Sequence, residues 1–110
     1  MNAIRNTVQL IGQVGQEPEI KSFEKGKKVA NLILTTSDIY YRENGDKVEQ
    51  TEWHRVTAWG KLADIVEKHV VKGKEIAVEG KLTHRSYDDK DGEKRYVTEV
   101  TANEILLFGK

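Results

Sequence analysis

Alternation with period two runs through most of this 110-residue chain, and only extended strands satisfy that period. Val8 and Leu10 alternate with polar neighbours over residues 7–12, and residues 29–36 (VANLILTT) are rich in β-branched side chains. Residues 51–59 (TEWHRVTAW) and 75–87 read as long strands, and 95–102 as another. Turn signals separate them at 12–15, 24–27, 44–46 and 91–92; the Asn44-Gly45 and Asp91-Gly92 pairs suit hairpins because they tolerate positive φ. One segment breaks the pattern. Over residues 61–71, Leu62, Ile65, Val66, His69 and Val70 share one face of an α-helix, and Gly73 follows as a stop.

The order is therefore three strands, one helix, two strands. A five-stranded Greek-key barrel with its helix between strands three and four is the OB-fold. Gly80, between Val78 and Leu82, fits the bulge that a closed barrel needs. The alternative is another small β-protein carrying one helix. The length suits a single domain over residues 1–110.

Composition removes several function classes. Eighteen basic residues balance 18 acidic ones, which argues against a simple basic binder of duplex DNA. Four acids (Asp88, Asp89, Asp91, Glu93) crowd one stretch, so the remainder is net basic. There is no cysteine for a disulfide, a thiol nucleophile or a zinc–thiolate site. No apolar run approaches a membrane span, and residues 1–7 hold no signal core, so a cytoplasmic protein is expected.

The strand at 51–59 carries the most information. Thr51, Trp53, Arg55, Thr57 and Trp59 take one face; Glu52, His54, Val56 and Ala58 take the other. The two tryptophans stand roughly 20 Å apart along an extended strand. Unpaired bases stack on such rings, and an arginine between them pairs with a phosphate or stacks in turn. The competing reading buries both indoles in the core. Arg55 and two threonines on their face make a poor core, however, and the next strand repeats the arrangement. There Ile76, Val78 and Leu82 oppose Lys81, Thr83, Arg85 and Tyr87. Tyr40 and Tyr41 close the second strand beside Arg42, either as binding rings or as a shield for the barrel end. Lys61 and Lys72 bracket the helix, where the plain alternative is two solvated helix ends. His69, on the apolar helix face, is expected in the core.

The run Gln50-Thr51-Glu52-Trp53-His54-Arg55-Val56, followed by Trp59-Gly60-Lys61-Leu62-Ala63, closely resembles the bacterial single-stranded DNA-binding protein family. So do Gly15-Gln16-Glu17-Pro18-Glu19, Val29-Ala30-Asn31, Lys72-Gly73, Val78-Glu79-Gly80-Lys81-Leu82 and Arg95-Tyr96, in order over nearly the whole chain. The resemblance implies an OB-fold that assembles as a homotetramer and binds single-stranded DNA without sequence preference. Replication, recombination and repair are the processes it implies, with a nucleoid-associated location. By the same match, Tyr40, Trp53, Trp59 and Tyr87 are stacking rings, two of them tyrosines where well-known members carry tryptophan. Arg55, Lys61, Lys72 and Arg85 fall at backbone-contacting positions, and His54 at the subunit interface. Family members typically continue into a flexible tail with an acidic tip that recruits replication and repair proteins. This sequence ends at Phe108-Gly109-Lys110, as a natural short form or with the tail removed, which puts the recruitment of replication and repair proteins by this polypeptide in doubt.

Two other readings stay open. A metal-dependent nuclease or calcium loop would use the acids at 88–93, but these lack an EF-hand's alternating ligands and distal glutamate. His54, His69 and His84 lack the short spacing of a metal site, so no cofactor, metal or catalytic residue is expected. An OB-fold adaptor, as in primosome assembly factors, would turn the aromatic face toward protein.

Overall fold

The computed structural model describes residues 3–108. Residues 1–2 and 109–110, which enter the readings of a signal core and a tail, lie outside the described residues. The strands are β1 (Val8–Val14), β2 (Glu19–Ser22), β3 (Lys28–Tyr41), β4 (Lys47–Trp59), β5 (Glu75–Asp88) and β6 (Lys94–Leu107), with α1 (Lys61–His69) between β4 and β5. β1 and β2 form one path along β3. Val14 pairs with Leu34, and after residues 15–18 bulge out the ladder resumes at Glu19 with Asn31. Counted as one strand, this path makes the barrel five-stranded and places the helix between the third and fourth strands, as expected.

Closure follows from the ladders. β1 lies antiparallel to β5, β5 to β6 and β3 to β4; β6 joins β4 in parallel through Val56 with Val100. β1 then meets β3, leaving no open edge around the barrel proper. The expected bulge is present, between Glu79 and Gly80. A Cβ on Gly80 would sit 2.2 Å from the Thr101 carbonyl oxygen, so only glycine permits the approach. Gly12, expected in a turn, lies inside β1 instead. A Cβ there would meet the Thr35 carbonyl oxygen at 2.0 Å, which makes Gly12 the point where β1 crosses β3.

Leu34, Ile76, Val14, Val56, Val66 and Val78 are the largest fully buried side chains. α1 adds Ala63 and Val66 to this core, Val70 just beyond it adds a third side chain, and the helix packs on β3, β4 and β6. Lys28 of β3 ties the helix down through Asp64 at 2.8 Å and Glu67 at 2.6 Å. These bonds, Asp64 first, hold the Lys28 ammonium above its ordinary pKa; the Lys28 bond in turn holds the Asp64 carboxyl below its own. The helix stops at His69, two residues before the expected end, because Val70 takes extended angles. That stop corrects the reading of His69, which is exposed and not part of the core.

The Cα radius of gyration is 16.1 Å, above the about 13 Å of a compact chain of this size. Two arms cause the excess. The β3–β4 ladder runs out to Tyr41 with Lys47, and β5–β6 to Asp88 with Lys94. Both continue well past the last pairing of β4 with β6. Gly45 and Gly92 turn the two hairpins at φ 90° and 80°, as the dipeptides predict.

Candidate nucleic-acid interface

The ladder parity read from residues 51–59 holds. Val56 and Ala58 are buried, whereas Trp53 and Trp59 are 65% and 52% exposed. Thr57 shares the tryptophan face but is itself buried, with its hydroxyl 3.5 Å from Asn31 Oδ1. It belongs to the floor of a groove of about 510 Å³ that is also lined by Asn31, Ile33, Arg55, Arg85 and Glu99. A second depression, at Trp53 and Leu82, shares Arg55 and Glu99 with the first. The two therefore adjoin at these side chains. They open where β4 and β6 part beyond Val56 and Val100.

The seat of Trp53 is built by a residue that periodicity does not single out. A Cβ on Gly15 would come within 2.9 Å of the six-membered ring of the indole, and the Gly15 N–H donates to the Ile33 carbonyl at 2.8 Å. The ring thus rests on bare backbone beside Thr35, its ladder partner on β3, and turns its other side to solvent. Trp59 also gains an unforeseen companion. Phe23, in the turn after β2, stacks on it with centroids 6.5 Å apart and planes at 23°. Phe23 is half exposed, so the two rings form an exposed aromatic ledge just ahead of the helix.

The β5–β6 arm supplies the opposite wall. Tyr87 is half exposed, with the Arg85 guanidinium 6.0 Å above its ring centroid. Arg85 Nε donates to Glu99 Oε1 at 3.1 Å. The groove therefore carries carboxylates that charge counting along the chain does not place there. Glu17 and Glu19 line it too, the first accepting the Lys72 N–H at 2.6 Å and the second 3.6 Å from Lys21. Arg55 has no ion-pair partner among the described residues.

The remaining sequence-derived residues scatter more widely. Lys61 is exposed at the first position of α1, next to Trp59. Lys72 is exposed in the turn beyond the helix. Tyr40 and Tyr41 are both exposed far out on the β3–β4 arm, so neither shields the barrel end. Register puts Ile39 and Tyr41 on the Trp53 side of that arm, and Tyr40 on the side of Thr36 and His54. His54 is half-buried, its Nε2 2.9 Å from the Thr36 hydroxyl.

The acidic stretch forms the tip of the second arm. Asp89 Oδ1 accepts the N–H groups of Asp91 at 2.9 Å and Glu93 at 3.0 Å, and Oδ2 accepts from Arg95 at 2.7 Å. Those bonds, Arg95 first, hold the Asp89 carboxyl below the ordinary aspartate range. Stability from this group is therefore complete above that range and goes as pH falls through the depressed value. Acid titration followed by amide NMR should show the Asp91 and Glu93 signals moving together, at a pH below that of a free aspartate. Movement at the ordinary aspartate pH would contradict the assignment.

The family model described as the single-strand binding protein family matches residues 5–108. Single-stranded DNA-binding protein 1 of Chlorobaculum tepidum is 43% identical over 105 residues, covering 94% of this chain. The Xylella fastidiosa protein of the same name is 42% identical over 106 residues, covering 96%. The chain spans 65% of the length of the first relative and 78% of the second. Among solved structures, the Plasmodium falciparum SSB complex with single-stranded DNA superposes with a TM-score of 0.85 at 28% identity, over 94% of this chain and 95% of the other. A deletion mutant of the single-stranded DNA binding protein from Thermus aquaticus gives 0.80 at 33% identity, over 94% of this chain and 50% of the other.

Proposed function

The chain belongs to the single-strand binding protein family, and we propose that it binds single-stranded DNA without sequence preference, protecting it during replication, recombination and repair. One observation carries this reading: two exposed indoles share a strand face with Arg55, which lines the groove and has no ion-pair partner among the described residues. Bases stack on Trp53, Trp59 and Tyr87, and Tyr40 meets a strand only where that strand passes around the edge of its arm. Arg55, Lys61, Lys72 and Arg85 face phosphates. Stacking reads no base edge, so every sequence is accepted. Duplex DNA hides its π-faces inside the stack and is discriminated against. The chemistry is binding and not catalysis, with residues 1–110 acting as one domain. The location is the cytoplasm, on the nucleoid; no helix among the described residues is long and apolar enough to cross a membrane.

A homotetramer is part of the same proposal. Ile11, Ala77 and Leu106 form a rung across the outer face of β1, β5 and β6, and Ile11 and Leu106 are well exposed. An apolar rung of this kind supports burial against other copies. His54, on the face opposite the tryptophans, is proposed to reach such an interface. Linked faces make later contacts on one strand intramolecular and raise avidity. Mass in solution should equal four times the 12.5 kDa chain; a monomeric mass with and without dT oligonucleotide would remove the tetramer.

Titration with poly(dT) in rising salt tests the binding reading. Tryptophan fluorescence should be quenched to saturation at low salt. The logarithm of affinity should then fall with the logarithm of salt by about 0.7 for each phosphate neutralised. Absence of quenching at low salt would favour a protein-binding adaptor.

A further inference from the structure

Glu99 is the one groove residue whose charge opposes the proposed ligand from a nearly enclosed position. Its side chain is only 12% exposed, it lines both depressions, and its carboxylate accepts from Arg85 Nε at 3.1 Å. Arg85 is more than half exposed and lies over the Tyr87 ring, so its guanidinium bridges a base-stacking position and an acid. Arg55, lining the same groove, has no such partner among the described residues. Resting on the single-strand reading above, we infer that Glu99 is a positioning residue that holds Arg85 in reserve: a phosphate that takes the Nε edge of this guanidinium displaces the carboxylate. The exchange is nearly neutral in charge. The phosphate releases its counterion, and the freed Glu99 recruits one. Arg85 therefore adds little net affinity and little salt dependence, while still keeping its place beside Tyr87. Binding in this part of the groove stays weak enough to reverse.

Glu99→Gln keeps the shape and removes the competing charge. The variant should bind a dT oligonucleotide about threefold to tenfold more tightly at low salt. Its salt slope should steepen by about 0.7. In an Arg85→Gln background the same change should give no such gain, because the coupling runs through the guanidinium. A gain of equal size with and without Arg85 would reduce Glu99 to bulk repulsion and overturn the inference, as would no gain at all. The unaltered chain offers a readout independent of any variant. The Arg85 Nε–H resonance should shift on adding oligonucleotide as its partner changes from carboxylate to phosphate; a resonance that stays in place overturns the exchange. Failure of the unaltered chain to bind dT at all would instead defeat the single-strand reading itself.

Discussion

Trp53→Ala is expected to bind a dT oligonucleotide about tenfold to a hundredfold more weakly than the unaltered chain. Its melting temperature should move by no more than a few degrees. Both halves follow from one geometry. The indole rests on Gly15 and Thr35 at the rim of the barrel and is 65% exposed, so its removal leaves no internal cavity. What disappears is a π-face at one end of the groove. Unfolding of the variant, seen by circular dichroism, would return Trp53 to the core.

Leu34→Ala should have the opposite profile. Leu34 stands next to the ladder partner of Trp53 on the same hairpin, but it points inward and is fully buried. Truncation of such a leucine costs about 2–5 kcal/mol. For a domain of this size each kcal/mol corresponds to roughly 4–8 °C in melting temperature. A drop of roughly 10 °C or more is expected by thermal denaturation, with dT affinity nearly unchanged at temperatures where the variant remains folded. A shift of only a few degrees would mean that this hairpin does not anchor the barrel.

The contrast between these neighbours was legible in the sequence because a strand's two faces are fixed by parity alone. Val56 and Ala58 against Trp53 and Trp59 needs nothing beyond the period. The bulge at Gly80 and the hairpin turns at Gly45 and Gly92 were legible for a similar reason, since glycine in a strand or a tight turn has few explanations. Contacts between distant segments were not. β2 is four residues long and follows Pro18, too short to show alternation, yet it carries the chain to Phe23. Phe23 then meets Trp59 from a turn that composition marks as solvent-facing. Glu99 looks like an ordinary exposed strand acid until β6 is set beside β5, where its ladder partner is Thr83 and its side chain reaches Arg85. The helical wheel misplaces His69 because it runs two residues past the point where the helix stops. Tyr40 and Tyr41 show the limit from the other side. Parity separates them, but only the observed register with Lys47 and Val48 decides which of them shares a face with Trp53.

Photo-crosslinking to an oligonucleotide carrying 5-iodo-deoxyuridine reports directly on bases resting against rings, because the halogenated base couples efficiently to an aromatic side chain stacked on it. Adducts mapped by mass spectrometry should fall on the peptides containing Trp53 and Trp59, and should vanish in high salt or with the same sequence in a duplex. Adducts confined to residues away from the groove, or equal yields from duplex and single strand, would contradict the binding surface described for this protein.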